Sequence, residues 1–203
     1  MAEERRSRPG KKAVEQVVLG REDARDQACH REQETDNSCV AACVRIIMAY
    51  QGQQVSEETL RRKLAHAHLP SLPTAARTFG WRRQFLQFDR PEDREMLLGY
   101  LALGMRVIVD VYPGPLTMLS ERRGLVSRHG QLMERSPEDR ERREDLAMRV
   151  PQLPHHAIVL VRLGDGILRY LDPWFPGAGQ PLWMSFEDFF RMWTGQVLIP
   201  SQA

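Results

Sequence analysis

The sequence predicts an α+β domain, helical in its first half and built on an antiparallel sheet in its second. Three observations predict it. Between Cys39 and Tyr50, apolar residues recur at three- and four-residue spacing, the period of a helix buried along one stripe. After Arg106 that period gives way to strand-like runs, RVIVDVY at 106–112, HAIVLVRL at 156–163 and ILRYLD at 167–172. Gly164, Asp165 and Gly166 form a hairpin signal between the last two, so those strands run antiparallel. Helices followed by strands, rather than alternating with them, mark α+β rather than a parallel α/β sheet.

The elements follow in order. Residues 1–28 are polar and charged and are expected to be a disordered tail, or an arm that orders on a partner. The folded domain is expected to start at Cys29 and run to residue 203. The helix from Cys39 carries Val40, Cys43, Val44, Ile47 and Met48 on its stripe, with capping oxygens from Asp36, Asn37 and Ser38 before it and Gly52 after it. Ser56 caps a second helix through EETLRRKL, with Val55 and Leu60 as its hydrophobic staple. Pro73 opens a short third helix that Gly80 closes. Trp81 to Phe88 alternates apolar with polar residues and reads as a strand. A helix from Pro91 to Leu103 stops at Gly104. After the three long strands, Ser185 caps a short helix to Trp193, and Gln196 to Ile199 is a last strand. Residues 113–153 join two strands through a long stretch dense in charge of both signs, which reads as an insertion with a docking or covering role.

Composition narrows the function. The chain has 203 residues and a formal charge of +2. That is enough length to bury a core without staples and too little charge to mark a nucleic-acid surface. No run reaches the roughly 18 apolar residues of a membrane span, and the N-terminus lacks the apolar stretch of a signal peptide. Three cysteines cannot form a closed disulfide framework, which suits a reducing cytoplasm and a free thiol.

Four residues make a chemical proposal together: Gln33, Cys39, His156 and Asp172. A cysteine on an amphipathic helix is often only a small buried hydrophobe, and Cys43 reads that way. Cys39 differs because it lies in the first turn, where unpaired N–H groups and the helix dipole favour an anion. His155 and His156 open an apolar strand, and alternation lets only one of them face a given side. Asp172 ends the next strand, so the hairpin brings residues near 156 and 172 side by side. That is the layout of a thiol nucleophile, a base and the acid that orients the base. Gln33 adds an amide that can pair with the Cys39 N–H to bind an oxyanion. Metal binding by Cys29, His30, Cys39 and Cys43 is the weaker alternative, since no C-x-x-C pair exists.

Three stretches, QETDNSCVAACVRIIMAYQG, HHAIVLVRLGDGILRYLDPW and SFEDFFRMWTGQVLI, resemble a papain-like cysteine peptidase. More closely they resemble the bacterial double-glycine leader peptidases that process bacteriocin precursors. The spacing of Gln33 before Cys39, of His156 before Asp172 and of Cys43 after Cys39 agrees with that family, as does GQQVSEETL. The resemblance covers about residues 30–112 and 154–199. It implies a papain-like fold and a stand-alone peptidase without cofactor or metal. It also implies Cys39 as nucleophile, His156 rather than His155 as base, Asp172 as orienting acid and Gln33 as oxyanion donor. The implied substrate is a peptide or protein cut after small residues, Gly-Gly of a leader included. Independently of the resemblance, the length and charge of the 113–153 insertion and the charged tail make them the expected docking places for a protein partner, with a solvated surface loop of no role as the alternative for the insertion. The same residues also serve an acyltransferase or isopeptidase, and a non-catalytic peptide-binding module would keep the fold alone.

Overall fold

A computed structural model of the chain describes residues 21–35, 37–64, 71–87, 89–112, 156–164 and 166–201. The charged residues before Arg21, the 113–153 insertion and His155 lie outside the described residues. Six helices and six strands occur among those described. In chain order they are α1 (Arg21–Cys29), α2 (Cys39–Tyr50), α3 (Glu57–Leu64), α4 (Leu72–Phe79), β1 (Arg82–Phe85), α5 (Pro91–Ala102), β2 (Val107–Val111), β3 (His156–Gly164), β4 (Ile167–Leu171), β5 (Leu182–Ser185), α6 (Phe186–Met192) and β6 (Trp193–Ile199).

All strand pairs are antiparallel, in a single sheet of order β1-β6-β2-β3-β4-β5. The α+β class expected from the sequence is the class found. Both sheet faces are covered, which explains why β2 and β3 read as nearly unbroken apolar runs. One face carries Val107, Val109, Val111, Ile158, Leu160, Leu168 and Tyr170 against Leu97 and Leu101 of α5 and Phe189 and Met192 of α6. The other carries Ile108, Ala157, Val159, Val161, Leu171 and Leu198 against α2, α3 and α4. Burying a large apolar side chain stabilises by about 1.5–3 kcal/mol. Two such layers hold the domain without a disulfide, and all three cysteines are free.

Local signals act as expected at several ends. Ser56 accepts the Thr59 N–H and Ser185 that of Asp188, and Ser71, which the sequence reading did not single out, accepts that of Thr74. Gly80 closes α4 in the left-handed conformation. Gly195 in β6 has φ +89, its carbonyl accepts the Leu86 N–H at 2.8 Å, and a Cβ there would run into the Leu86 carbonyl. Only glycine fits that approach.

Four expectations are corrected. The tail was expected to reach residue 28, but Arg21–Cys29 is a helix. Its composition shows no apolar stripe because polar bonds dock it. Asp26 is buried, accepts the Tyr50 hydroxyl at 2.7 Å and pairs with Arg162 at 2.9 Å, and Glu22 and Asp23 also reach Arg162. Ser38 is the N-cap residue of α2 but gives it no side-chain cap, since its hydroxyl donates to the Thr35 carbonyl at 2.7 Å. Strand β1 is four residues rather than eight, and β5 was not anticipated because LWMS is short and follows a Gly- and Pro-rich loop.

Asp26→Ala should release α1. We expect a stability loss of about 1–3 kcal/mol and faster amide hydrogen exchange at residues 21–29, read by mass spectrometry. Unchanged protection of those amides would show that Asp26 does not fasten the helix.

Candidate active site

Helix α2 lays its buried face on β3, and one contact sets its position along the strand. Cys43 is fully buried and its Sγ donates to the Ala157 carbonyl at 3.2 Å. Cys39 lies one helical turn earlier on the same side of α2, so that contact sets it beside His156, the residue before Ala157. Cys39 is the first residue of α2 and is half-buried. Cys43 is therefore the core residue the sequence suggested. Burial, then the neighbouring Cys39 and Asp172, pushes its thiol well above the usual range.

His156 Nε2 and Asp172 Oδ1 are 2.8 Å apart, and both side chains are buried. The β3–β4 hairpin brings them together through an irregularity in its ladder. Gly164 to Arg162 pair with Ile167 to Arg169, but Leu160 then pairs with Tyr170, leaving Val161 as an extra residue on β3. A one-residue slip moves a side chain to the opposite face. With the bulge, the ladder continues so that His156 falls across from Trp174, and Asp172 lies on the same side. Consistent with this, the Trp174 ring stacks on His156 with centroids 3.9 Å apart.

Asp172 is held from several directions. Its Oδ1 also accepts the Trp174 N–H at 2.8 Å. Its main chain exchanges bonds with the Gln180 side chain, at 3.3 Å to the N–H and 3.1 Å to the carbonyl. His30 Nε2 lies 3.0 Å from the same carbonyl. Burial lowers the His30 pKa against the pull of Asp172, so the ring is neutral and donates from Nε2. Gln33 is buried beside this loop. Its N–H donates to the Pro173 carbonyl at 2.9 Å and its Nε2 to the Thr35 carbonyl at 2.8 Å. The four residues named from the sequence are thus tied to one end of the β3–β4 hairpin, with Cys39 and Gln33 delivered by α2 and the loop before it.

His30, Trp174, Gln180 and Glu57 were missed. Glu57 binds the Glu34 N–H with both carboxylate oxygens at 3.0 Å. Only the LDPW context of Trp174 carried any signal. His30 and Glu57 act across long sequence separations, and Gln180 acts from an irregular loop, neither of which periodic pattern encodes.

Burial disfavours charge on His156. The Asp172 carboxylate and its hydrogen bond, then the Cys39 thiol, outweigh that and hold the imidazolium up to about 10. Because the folded value lies above the ordinary 6.5, His156 stabilises the fold fully below that pH and loses this contribution as pH rises through about 10. Among the described residues, no group of three His, Cys, Asp or Glu side chains could hold a metal ion.

No family model matches the chain, and no curated protein sequence matches it. Solved structures do. The chain is similar to the peptidase domain of Streptococcus ComA, a bifunctional ABC transporter involved in a quorum-sensing pathway. The TM-score is 0.52 at 18% identity, over 84% of this chain and 97% of that one. It is also similar to a protein from Bacillus anthracis described as a C39-like peptidase, with a TM-score of 0.53 at 11% identity over 88% and 96% of the two chains. The fold is therefore the papain-like C39 peptidase fold that the sequence resemblance implied.

The His156 ring protons should titrate near pH 10 by NMR in the native protein. In Asp172→Asn, which removes the carboxylate charge, the midpoint should fall toward the ordinary imidazole range. A midpoint that did not move would exclude Asp172 as the cause.

Proposed function

We propose that the protein is a cysteine peptidase in which Cys39 is the nucleophile, His156 the acid–base, Asp172 the orienting acid and Gln33 an oxyanion donor. The observation that carries this reading is the buried 2.8 Å bond between His156 and Asp172, with the Cys39 thiol next to the same ring. Asp172 engages Nε2, which leaves Nδ1 as the ring nitrogen available to exchange a proton with sulfur or substrate. The Trp174 stack and the buried carboxylate hold the ring in one orientation.

In this scheme the Cys39 thiolate attacks a substrate carbonyl and forms a tetrahedral oxyanion. The Cys39 N–H at the start of α2 and the Gln33 amide stabilise it. Gln33 Nε2 turns from the neutral Thr35 carbonyl to the charged oxygen, an exchange that favours the stronger, charge-assisted bond. His156 gives its proton to the leaving amine, and the C–N bond breaks to leave a thioester on Cys39. Neutral His156 then takes a proton from water, which attacks the thioester and releases the acid.

The fold's likeness to a transporter peptidase domain supports a peptide substrate. The sequence resemblance extends this to cleavage after small residues, Gly-Gly at the end of a leader included. Three free thiols suit a reducing compartment, and among the described residues no helix is long and apolar enough to cross a membrane. Acyl transfer to an amine uses the same groups, and product analysis with an added amine acceptor separates it from hydrolysis.

Cys39→Ala should lower hydrolysis of a peptidyl Gly-Gly aminomethylcoumarin amide at least about a thousandfold. Cys43→Ala should remain active, lowered only as far as α2 shifts on β3, because its thiol packs and does not react. Turnover surviving in Cys39→Ala would end the scheme.

A further inference from the structure

We propose that Glu57 is a positioning residue of the oxyanion site, its carboxylate fixing the loop that carries the Gln33 amide ahead of the Cys39 N–H. The inference rests on the cysteine-peptidase reading and adds a residue to it.

Glu57 opens α3, where a carboxylate ordinarily points into solvent and favours the helix N-terminus from outside. Its neighbour Glu58 does so, pairing with Arg62 on the exposed face at 2.7 Å. Glu57 instead has no exposed surface. A fully buried glutamate is rare unless paired, because the desolvation has to be offset by specific bonds. The bonds found here point at the site rather than at α3. Both oxygens accept the Glu34 N–H at 3.0 Å. Burial raises its pKa, against the nearby Ser38 side chain and the Glu34 N–H, which lower it. Arg61, one turn along α3, stands 3.8 Å away and balances the charge.

The loop partner is the informative one. Glu34 directly follows Gln33, and Ser38 directly precedes Cys39. The carboxylate grips the chain just after Gln33, and the Ser38 hydroxyl, donating to the Thr35 carbonyl, closes the same loop just before Cys39. The outer end of Gln33 is tied separately, through its N–H to Pro173. Donors act on an oxyanion only within about 2.7–3.1 Å of it, and a displacement of about 1 Å can cost on the order of a hundredfold in rate. Ser38, which does not cap α2 with its side chain, exchanges bonds with the Thr35 backbone and closes this loop instead.

The role predicts a split between two reactions of the same thiol. Alkylation of Cys39 by iodoacetamide is attack at a saturated carbon and forms no oxyanion. Acylation by p-nitrophenyl acetate passes through one. In Glu57→Leu, which keeps bulk but no acceptor, the Cys39-dependent acylation burst should slow about 10- to 100-fold. The alkylation rate should stay within about twofold of the native protein. Glu57→Gln keeps one carbonyl oxygen for the Glu34 N–H and should recover much of the burst. Cys39→Ala supplies the background from the other thiols. If Glu57→Leu does not fold, Glu57→Gln alone decides, by a slowed burst with alkylation retained. Equal effects on both reactions, or none on either, would overturn the positioning role while leaving the peptidase reading intact. A native Cys39 inert to both reagents would overturn both.

Discussion

The hydrogen bond between His156 and Asp172 is the constraint on which the rest of the site depends. It exists because the β3–β4 hairpin gains one residue at Val161. Were Val161 paired in an unbroken ladder, the register would set the two side chains on opposite sides. The bulge therefore does for the site what a catalytic residue cannot do for itself: it chooses the face. Burial then gives the bond its consequence, since a shielded carboxylate acts far more strongly on an adjacent ring than one in water.

A buried charged pair is costly to assemble and gives little net stability unless its remaining polar groups are satisfied. The structure meets this by surrounding Asp172 with donors and acceptors from three segments. Gln180 closes on its main chain, His30 arrives from the end of α1, and Trp174 contributes both an N–H and a stacked ring. This also gives α1 a purpose. It fastens to Tyr50 and Arg162 by charge, and so holds His30 against the loop that carries Asp172. The nearly all-polar helix is part of the support of the site rather than a tail before the domain.

The nucleophile side is organised differently. Cys39 depends on the packing of α2 against β3, and the buried Cys43 sets how far along the strand the helix sits. Two cysteines one turn apart thus divide the work, the inner one anchoring and the outer one exposed enough to react. The loop before α2 has no regular structure of its own. Its conformation is imposed by Glu57 on one side and by the Pro173 carbonyl on the other.

Much of this was legible in the sequence because it is local. The α2 stripe, the serine caps of α3 and α6 and the glycine-flanked hairpin are written in residue spacing and turn chemistry, and they led to Cys39, His156 and Asp172. Gln33 was legible only beside Cys39. What could not be read is what acts across the fold or from irregular backbone. The docking of α1 through Asp26, the bond of His30 to Asp172 and the burial of Glu57 join residues far apart in the chain, while the bulge at Val161 and the bonds of Gln180 to Asp172 lie in irregular local backbone. None leaves a periodic trace, because a polar side chain looks the same in sequence whether it faces water or a distant backbone amide. The sequence by itself determined which groups are offered for chemistry and on what elements they ride. The tertiary structure decided which of them meet, because register, burial and long-range hydrogen bonds are settled only when the two faces of the sheet are packed.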